Sequence, residues 1–156
     1  MLIFLDFDGV LNSTKTVWKG DPHTPYVIDP KNLANFEQLV DSFDDVSIVI
    51  SSTWRILNDR DYFVNRLGPK LGALIAEDWC TKKLGTIRGL EVQEYLRRHF
   101  GHDEVQHLIL DDDQDFLWHQ PLLHINHKYG LTMGDVHTAI NTRAKRVYGV
   151  HVNETT

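Results

Sequence analysis

Four short apolar segments recur along the sequence, and they restrict the folds available to it more than any other feature. They occupy residues 2–5, 46–50, 107–110 and 122–125. A short apolar run bounded by polar residues is typical of a strand that is buried on both faces. Helical periodicity lies between most of these runs, and this alternation predicts a parallel sheet covered by helices on both faces. We therefore expect a three-layer α/β fold of the Rossmann-like kind.

Capping residues, prolines and glycines mark four helices among these strands. The helices are expected to begin after Asp29, to span residues 58–68 and 89–100, and to begin near Thr132. Residues 16–18 and 26–28 have extended character, and glycine and prolines lie between them. Such turn formers between two extended pieces predict a small hairpin flap beside the first strand.

Composition fits a globular protein, because 42% of the 156 residues are hydrophobic and 24% are charged. This length suits one domain, which we expect to span residues 1–156. No apolar run reaches the roughly 20 residues needed to cross a bilayer, and the N-terminus does not resemble a signal peptide, so we expect a cytoplasmic protein without a membrane partner. The single cysteine, Cys80, excludes an internal disulfide. A net charge of −6 argues against attraction of nucleic acid over the whole surface and leaves room only for a local basic groove.

Acids and hydroxyls follow three of the four predicted strands. The segments are Asp6-Phe7-Asp8-Gly9, Ser51-Ser52-Thr53-Trp54-Arg55 and Asp111-Asp112-Asp113-Gln114-Asp115. Because the carboxyl ends of parallel strands meet at one edge of a sheet, we expect these side chains to lie together. Two carboxylates about 4 Å apart repel by roughly 4 kcal/mol at an effective dielectric constant of about 20, so such a cluster needs a cation. Oxygen ligands without a thiolate favour Mg²⁺. Each segment alone is also typical of a helix cap or a solvated turn, and it is the combination that predicts a site.

These segments resemble, in order, motifs of the haloacid dehalogenase-like (HAD) superfamily. The stretch from Asp6 to Asn12 is similar to the first motif, Ser51 or Ser52 to the second, and Asp111-Asp112 to the fourth. The resemblance covers nearly the whole chain and implies a HAD-like fold. The gaps between the motifs are too short for a large cap domain.

The resemblance implies a phosphatase that works through a covalent intermediate. Asp6 would attack phosphorus and form an aspartyl-phosphate, and Asp8 would act as general acid and then as general base. Mg²⁺ would bind the Asp6 carboxylate, the Asp8 backbone carbonyl and Asp111. Either Asp112 or Asp115 would complete the metal site.

The residues that bind the phosphate are less well defined by the resemblance. Ser51 would contact a phosphoryl oxygen, with Ser52 as the alternative. The third motif requires a basic residue, and the candidates are Arg88, Lys82 and Lys83. Arg88 is preferred because the start of a helix adds positive potential of its own. Arg55 is a candidate phosphate contact, with a surface salt bridge as the competing interpretation.

The residues of these motifs are similar to those of small HAD domains associated with nucleic-acid end repair. This similarity implies a polynucleotide phosphatase that removes a terminal 3′-phosphate, or a nucleotidase. Trp18, Trp54 and Trp118 can stack on bases, although each is also typical of core or flap packing. A small-metabolite phosphatase and a phosphate-binding or receiver-like module are the alternatives. His119, His124 and His127 match no zinc motif.

Overall fold

A computed structural model describes residues 1–19 and 27–147 of the chain, with side chains described for residues 1–16 and 27–142. Five parallel strands form one sheet in the order β3-β2-β1-β4-β5. The strands are β1 (Leu2–Leu5), β2 (Ser47–Ile50), β3 (Ile75–Cys80), β4 (His107–Asp111) and β5 (Leu122–His124). The helices are α1 (Thr14–Lys19), α2 (Pro30–Asp41), α3 (Arg60–Gly72), α4 (Arg88–Phe100) and α5 (Met133–Val147), and a 3₁₀ helix spans Thr53–Ile56.

The predicted three-layer parallel architecture is confirmed. Side chains of α2, α3 and α5 pack on one face of the sheet, around the fully buried Phe36 and Phe63. Residues of α4, including Val92 and Tyr95, pack on the other face. The strand interiors are apolar because both faces are covered, which is why the sequence shows continuous rather than alternating hydrophobic runs.

One strand, β3, was missed by the sequence analysis. Its sequence, IAEDWC, contains two acids and no continuous apolar run. The strand lies at the edge of the sheet and is only partly buried. It therefore lacks the continuous apolar run by which the other four strands were predicted.

The helix boundaries agree with the capping signals, with one change at the start of α3. The side chain of Asp29 accepts a hydrogen bond from the Lys31 backbone N–H, and Pro30 follows it. At the start of α3 the cap is Asp59 rather than Asn58. Gly68, the expected end of this helix, does break the helical geometry with φ of +82°, but helical turns resume as far as Gly72.

The expected hairpin flap is wrong in its first half. Residues 16–18 belong to helix α1 and are not extended, because the Thr16 backbone N–H donates to the Ser13 carbonyl and closes a helical turn, and the Ser13 and Thr16 hydroxyls form a hydrogen bond with each other. Residues 27 and 28 have no regular structure, and Tyr26 lies outside the described residues.

The described part of the chain has no large cap domain, as the spacing of the motifs predicted. It also has no helix that is both long and apolar enough to cross a membrane.

Candidate active site

Three carboxylates meet at the carboxyl edge of the sheet. Leu5 pairs with Leu110 in the parallel ladder, so the next residues, Asp6 and Asp111, leave their strands side by side. One carboxylate oxygen from each of Asp6, Asp111 and Asp112 lies within 4.8 Å of the other two. Asp6 and Asp111 are almost completely buried. Burial of so much negative charge is costly unless positive charge lies beside it.

Arg88, the first residue of α4, provides one such positive charge. Its Nη1 atom lies 2.5 Å from Asp111 Oδ2 and 3.2 Å from Asp6 Oδ2, and Nη2 lies 3.5 Å from Asp113 Oδ2. The start of α4 adds the partial positive charge of the helix dipole at the same place. Lys82 instead pairs with Glu94 at the surface.

The tandem acids after β4 divide into two groups. Asp112 joins the carboxylate cluster, whereas the Asp115 carboxylate accepts a hydrogen bond of 3.0 Å from the Arg88 backbone N–H. Asp115 therefore satisfies a free donor at the start of α4, although it lies outside that helix. The sequence left the choice between Asp112 and Asp115 open, and the structure brings Asp112 rather than Asp115 to the carboxylates of Asp6 and Asp111.

The electrostatics of the cluster show that one arginine does not balance its acids. Burial raises the pKa of Asp6 to about 6, against the opposing effects of Arg88 and of hydrogen bonds from the Phe7 backbone and Ser52. Burial and the neighbouring Asp6 raise the pKa of Asp111 to about 7. Raised pKa values mean that the ionised pair is unfavourable as it stands. Three convergent oxygens with excess negative charge are the donor set that a hard divalent cation prefers, so the residues fit a metal ion.

Asp8 is held at the mouth of the site by two neutral donors. Its Oδ2 atom accepts a hydrogen bond of 2.8 Å from Trp54 Nε1, and Oδ1 accepts one of 3.0 Å from Asn12 Nδ2. The side-chain Oδ1 atom of Asn12 in turn accepts a hydrogen bond from the Gly9 backbone N–H. Asp8 is exposed, whereas Asp6, two residues earlier, is buried. The two acids therefore differ in environment, since one is buried beside Arg88 and the other is open to solvent.

The two serines after β2 point to different surroundings. Ser52 Oγ accepts a hydrogen bond from the Trp54 backbone N–H, and its hydroxyl also lies close enough to Asp6 to lower the pKa of that carboxyl. Ser51 Oγ is buried and has no hydrogen-bond partner among the described residues. Thr81 Oγ1, which follows β3 at the same edge, is in the same situation. Of these three hydroxyls, only that of Ser52 interacts with a carboxylate of the cluster in this part of the chain.

The Arg55 guanidinium contacts groups of the protein itself, whereas the sequence analysis considered it as a phosphate contact. Nε donates to the Thr81 carbonyl, and Nη1 donates to the carbonyls of Ser51 and Ser52. Nη2 forms a 2.8 Å salt bridge with Glu91 of α4, and both side chains are more than nine-tenths buried. The competing interpretation was a surface salt bridge; the salt bridge is present, but it is internal. Arg55 ties the ends of β2 and β3 to the helix that carries Arg88.

Sequence reasoning did not predict the contacts by which Trp54, Asn12 and Glu91 support the site. Trp54 was treated as a stacking or core residue, and it does pack on Phe7, with ring centroids 4.9 Å apart. Its contact with Asp8 joins residues 46 positions apart, so no local pattern reveals it. Trp118 is 95% exposed, whereas the side chain of Trp18 lies outside the described residues.

Comparison with protein families supports the same arrangement of motifs. A family model described as the HAD domain in Swiss Army Knife RNA repair proteins matches residues 2–136. The chain belongs to this family. Membership in this family supports a phosphatase-type role for the domain. It also accounts for a parallel sheet with acids at its carboxyl edge. No significant match was found among curated proteins or among solved structures.

Gly9 tests whether the position of Asp112 matters for metal binding. Its φ is +70°, and a Cβ atom at this position would lie 2.5 Å from Asp112 Cγ. We expect Gly9→Ala to weaken Mg²⁺ binding at least tenfold, measured by calorimetry, because the Asp112 carboxylate must move. Gly68→Ala is the matched control, since Gly68 also has a positive φ of +82° but open space around it. Equal Mg²⁺ affinity in the two variants would show that Asp112 is not a ligand.

The Arg55–Glu91 pair tests how the site is supported. We expect Glu91→Gln to lower the free energy of unfolding by about 3 kcal/mol, measured by urea denaturation, because it leaves the buried Arg55 charge uncompensated. Glu94→Gln is the control, because Glu94 pairs with Arg98 and Lys82 at the surface and such pairs contribute about 1 kcal/mol or less. A loss no greater than that of the control would mean that the pair does not anchor this edge of the sheet.

Proposed function

We propose that this domain is a Mg²⁺-dependent phosphomonoesterase that removes a terminal phosphate, foremost a 3′-phosphate, from nucleic-acid ends or nucleotides. The observation that carries the proposal is the pairing of a buried Asp6 beside Arg88 with an exposed Asp8 held by Trp54 and Asn12. Asp6 lies where the negative charge of a bound phosphoryl group would be offset by Arg88. Asp8 lies where a proton can be exchanged with a leaving group or with water.

In the first step, a carboxylate oxygen of Asp6 forms a bond to phosphorus while the bond to the ester oxygen breaks. Asp8, protonated, transfers its proton to the departing oxygen, so the alcohol leaves neutral. The product is an aspartyl-phosphate on Asp6. Arg88 offsets the negative charge on the phosphoryl oxygens during this transfer.

In the second step, Asp8 accepts a proton from water as the water oxygen attacks phosphorus. The bond between phosphorus and the Asp6 oxygen breaks, inorganic phosphate forms, and the Asp6 carboxylate is restored. The hydrogen bonds from Trp54 and Asn12 keep Asp8 in one orientation through both proton transfers. Ser52, beside Asp6, is the better placed hydroxyl for a phosphoryl oxygen, with Ser51 as the alternative.

The metal site would consist of Asp6, Asp111, Asp112 and the backbone carbonyl of Asp8. Bound there, Mg²⁺ supplies a Lewis acid that neutralises phosphoryl charge and helps to orient the phosphate. The support for Mg²⁺ over softer metals is the chemistry of the ligands, which are all oxygen atoms.

Two observations bear on the alternatives. The exposed second acid argues for hydrolysis rather than for a receiver-like module, because a domain that stores a phosphoryl group gains nothing from a general base two residues after its acceptor. The family, described by its role in RNA repair, favours nucleic-acid ends over small metabolites. The lack of a large cap in the described residues leaves the site open to an extended substrate.

Phosphate release from a panel of substrates tests the proposed reaction. We expect Mg²⁺-dependent release from 3′-phosphorylated oligonucleotides to exceed release from 5′-phosphorylated oligonucleotides, mononucleotides and sugar phosphates. Asp6→Asn should abolish release, and Asp8→Asn should slow it by about 10² to 10⁴. Preference for sugar phosphates would instead assign the domain to small metabolites, and unchanged turnover by Asp6→Asn would remove Asp6 as the nucleophile.

Trp54 provides a test of how Asp8 is positioned. Trp54→Phe keeps an aromatic ring against Phe7 but removes the N–H donor to Asp8, so we expect kcat to fall about tenfold to a hundredfold with little change in KM. Trp79→Phe is the matched control, because Trp79 packs on Phe63 at 5.4 Å and does not donate a hydrogen bond to Asp8. The kcat ratio of the two variants measures the effect, and a ratio near one would contradict it.

A further inference from the structure

A concave surface with a volume of about 580 Å³ is lined by residues that hydrogen-bond to the segment following Asp8. Its lining comes from the start of α2, from α1 and from the loop that precedes α5. We call it the basic groove and define it by the residues that carry its chemistry: Lys15, Asp29, Lys31, Asn32, Lys128 and Tyr129.

The groove is positively charged in a chain whose net charge is −6. Lys15, Lys31 and Lys128 are all exposed, and no carboxylate of a described side chain lies within ion-pair distance of any of them. Asp29 is the acid in the lining, and its two oxygens accept hydrogen bonds from Thr16 Oγ1 and from the Lys31 backbone N–H. Three lysines less one aspartate leave a local charge of +2. A polyanion is therefore attracted to this surface in particular.

An aromatic ring lies among these charges. Tyr129 is 49% exposed, and its ring centroid is 5.7 Å from Lys15 Nζ and 5.4 Å from Lys128 Nζ. Exposed aromatic rings interleaved with cations are typical of grooves that bind single-stranded nucleic acid, where bases stack on the rings and phosphates pair with the cations.

The loop that carries Tyr129 is fixed by hydrogen bonds from side chains of α2. Asn32 Nδ2 donates to the carbonyls of Tyr129 and Leu131, and Asn35 Nδ2 donates to the carbonyl of Leu131. Gly130 has a φ of +66°, and a Cβ atom there would lie 2.6 Å from Asn32 Oδ1. A platform fixed in this way loses little conformational entropy when a ligand binds.

Two backbone hydrogen bonds join the groove to the turn that carries Asp8, and a third joins α1 to the loop that precedes α5. The N–H of Leu131 donates to the Val10 carbonyl at 2.8 Å, and the N–H of Asp29 donates to the Leu11 carbonyl at 2.7 Å. The N–H of Thr14 donates to the His127 carbonyl at 3.0 Å. The groove is thus attached to the chain segment that directly follows Asp8.

We propose that the basic groove binds the nucleotides next to the terminal phosphate of a single-stranded nucleic acid. Backbone phosphates pair with Lys15, Lys31 and Lys128, and a base stacks on Tyr129. The proposal rests on the proposed function for its substrate, but the groove binds the strand whether or not the phosphate is removed. It is therefore testable without turnover.

The test is binding of a fluorescent single-stranded RNA octamer without a terminal phosphate, measured by anisotropy at several salt concentrations. Each phosphate contact contributes about 0.7 to the slope of log affinity against log salt, so the triple variant Lys15→Ala, Lys31→Ala, Lys128→Ala should lower the slope by about 2. Its affinity at about 0.1 M salt should fall roughly a hundredfold. Tyr129→Ala should weaken binding at least about fivefold, and Tyr129→Phe should restore it.

Lys70→Ala is the control for a general effect of charge, because Lys70 pairs with Glu37 and Asp41 and lies outside the groove. It should leave the affinity and the salt slope as they are in the wild type. For turnover, the ratio of kcat/KM on a 3′-phosphorylated octamer to kcat/KM on p-nitrophenyl phosphate should fall at least tenfold in the triple variant.

The outcomes separate the two proposals. If wild-type protein binds the octamer and the triple variant does not, the groove is supported even when no substrate is dephosphorylated, a result that would reject only the proposed function. Equal octamer binding by the wild type and the triple variant overturns the groove, as does a wild type that does not bind the octamer. An equal loss of turnover on the octamer and on p-nitrophenyl phosphate also overturns it, because the lysines would then act on the site itself.

Discussion

The close approach of Asp6 and Asp111 is the constraint on which the rest of the structure depends. The parallel pairing of β1 with β4 brings two carboxylates side by side at a buried edge, where their charges repel and water is largely excluded. The chain responds with Arg88 at the start of α4, so that a full charge and a helix dipole act on the same two acids. The remaining negative charge is what makes the cluster suited to a divalent cation.

Helix α4 must therefore be fixed relative to the sheet, and two contacts from outside the helix do this. Asp115 accepts a hydrogen bond from the first backbone N–H of α4, and Glu91, one turn later, pairs with Arg55. Arg55 also bonds the carbonyls at the ends of β2 and β3. Its four hydrogen bonds make it a positioning residue for the edge on which the chemistry takes place.

Much of this arrangement could be predicted from the sequence because it follows from local patterns. The buried parallel strands appear as apolar runs, and strand ends determine where Asp6, Ser52 and Asp111 lie. Arg88 was identified because a helix start could be recognised there. Strand β3 escaped because an edge strand need not be uniformly apolar, and α1 escaped because a few side-chain hydrogen bonds outweigh a weak extended preference. The contacts of Trp54 with Asp8 and of Arg55 with Glu91 join distant positions, so they follow only from the fold.

The aromatic contacts behind Asp8 connect the hydrophobic core to the chemistry. Phe63 meets Phe7 at 5.3 Å, Phe7 meets Trp54 at 4.9 Å, and the Trp54 indole holds the Asp8 carboxylate. A small shift of ring packing deep inside the protein would consequently change the orientation of Asp8, the acid proposed to transfer the proton. Substitutions in the core of such a domain are therefore limited by their effect on catalytic rate as well as on folding. The interior can change freely only where the packing of these three rings is preserved.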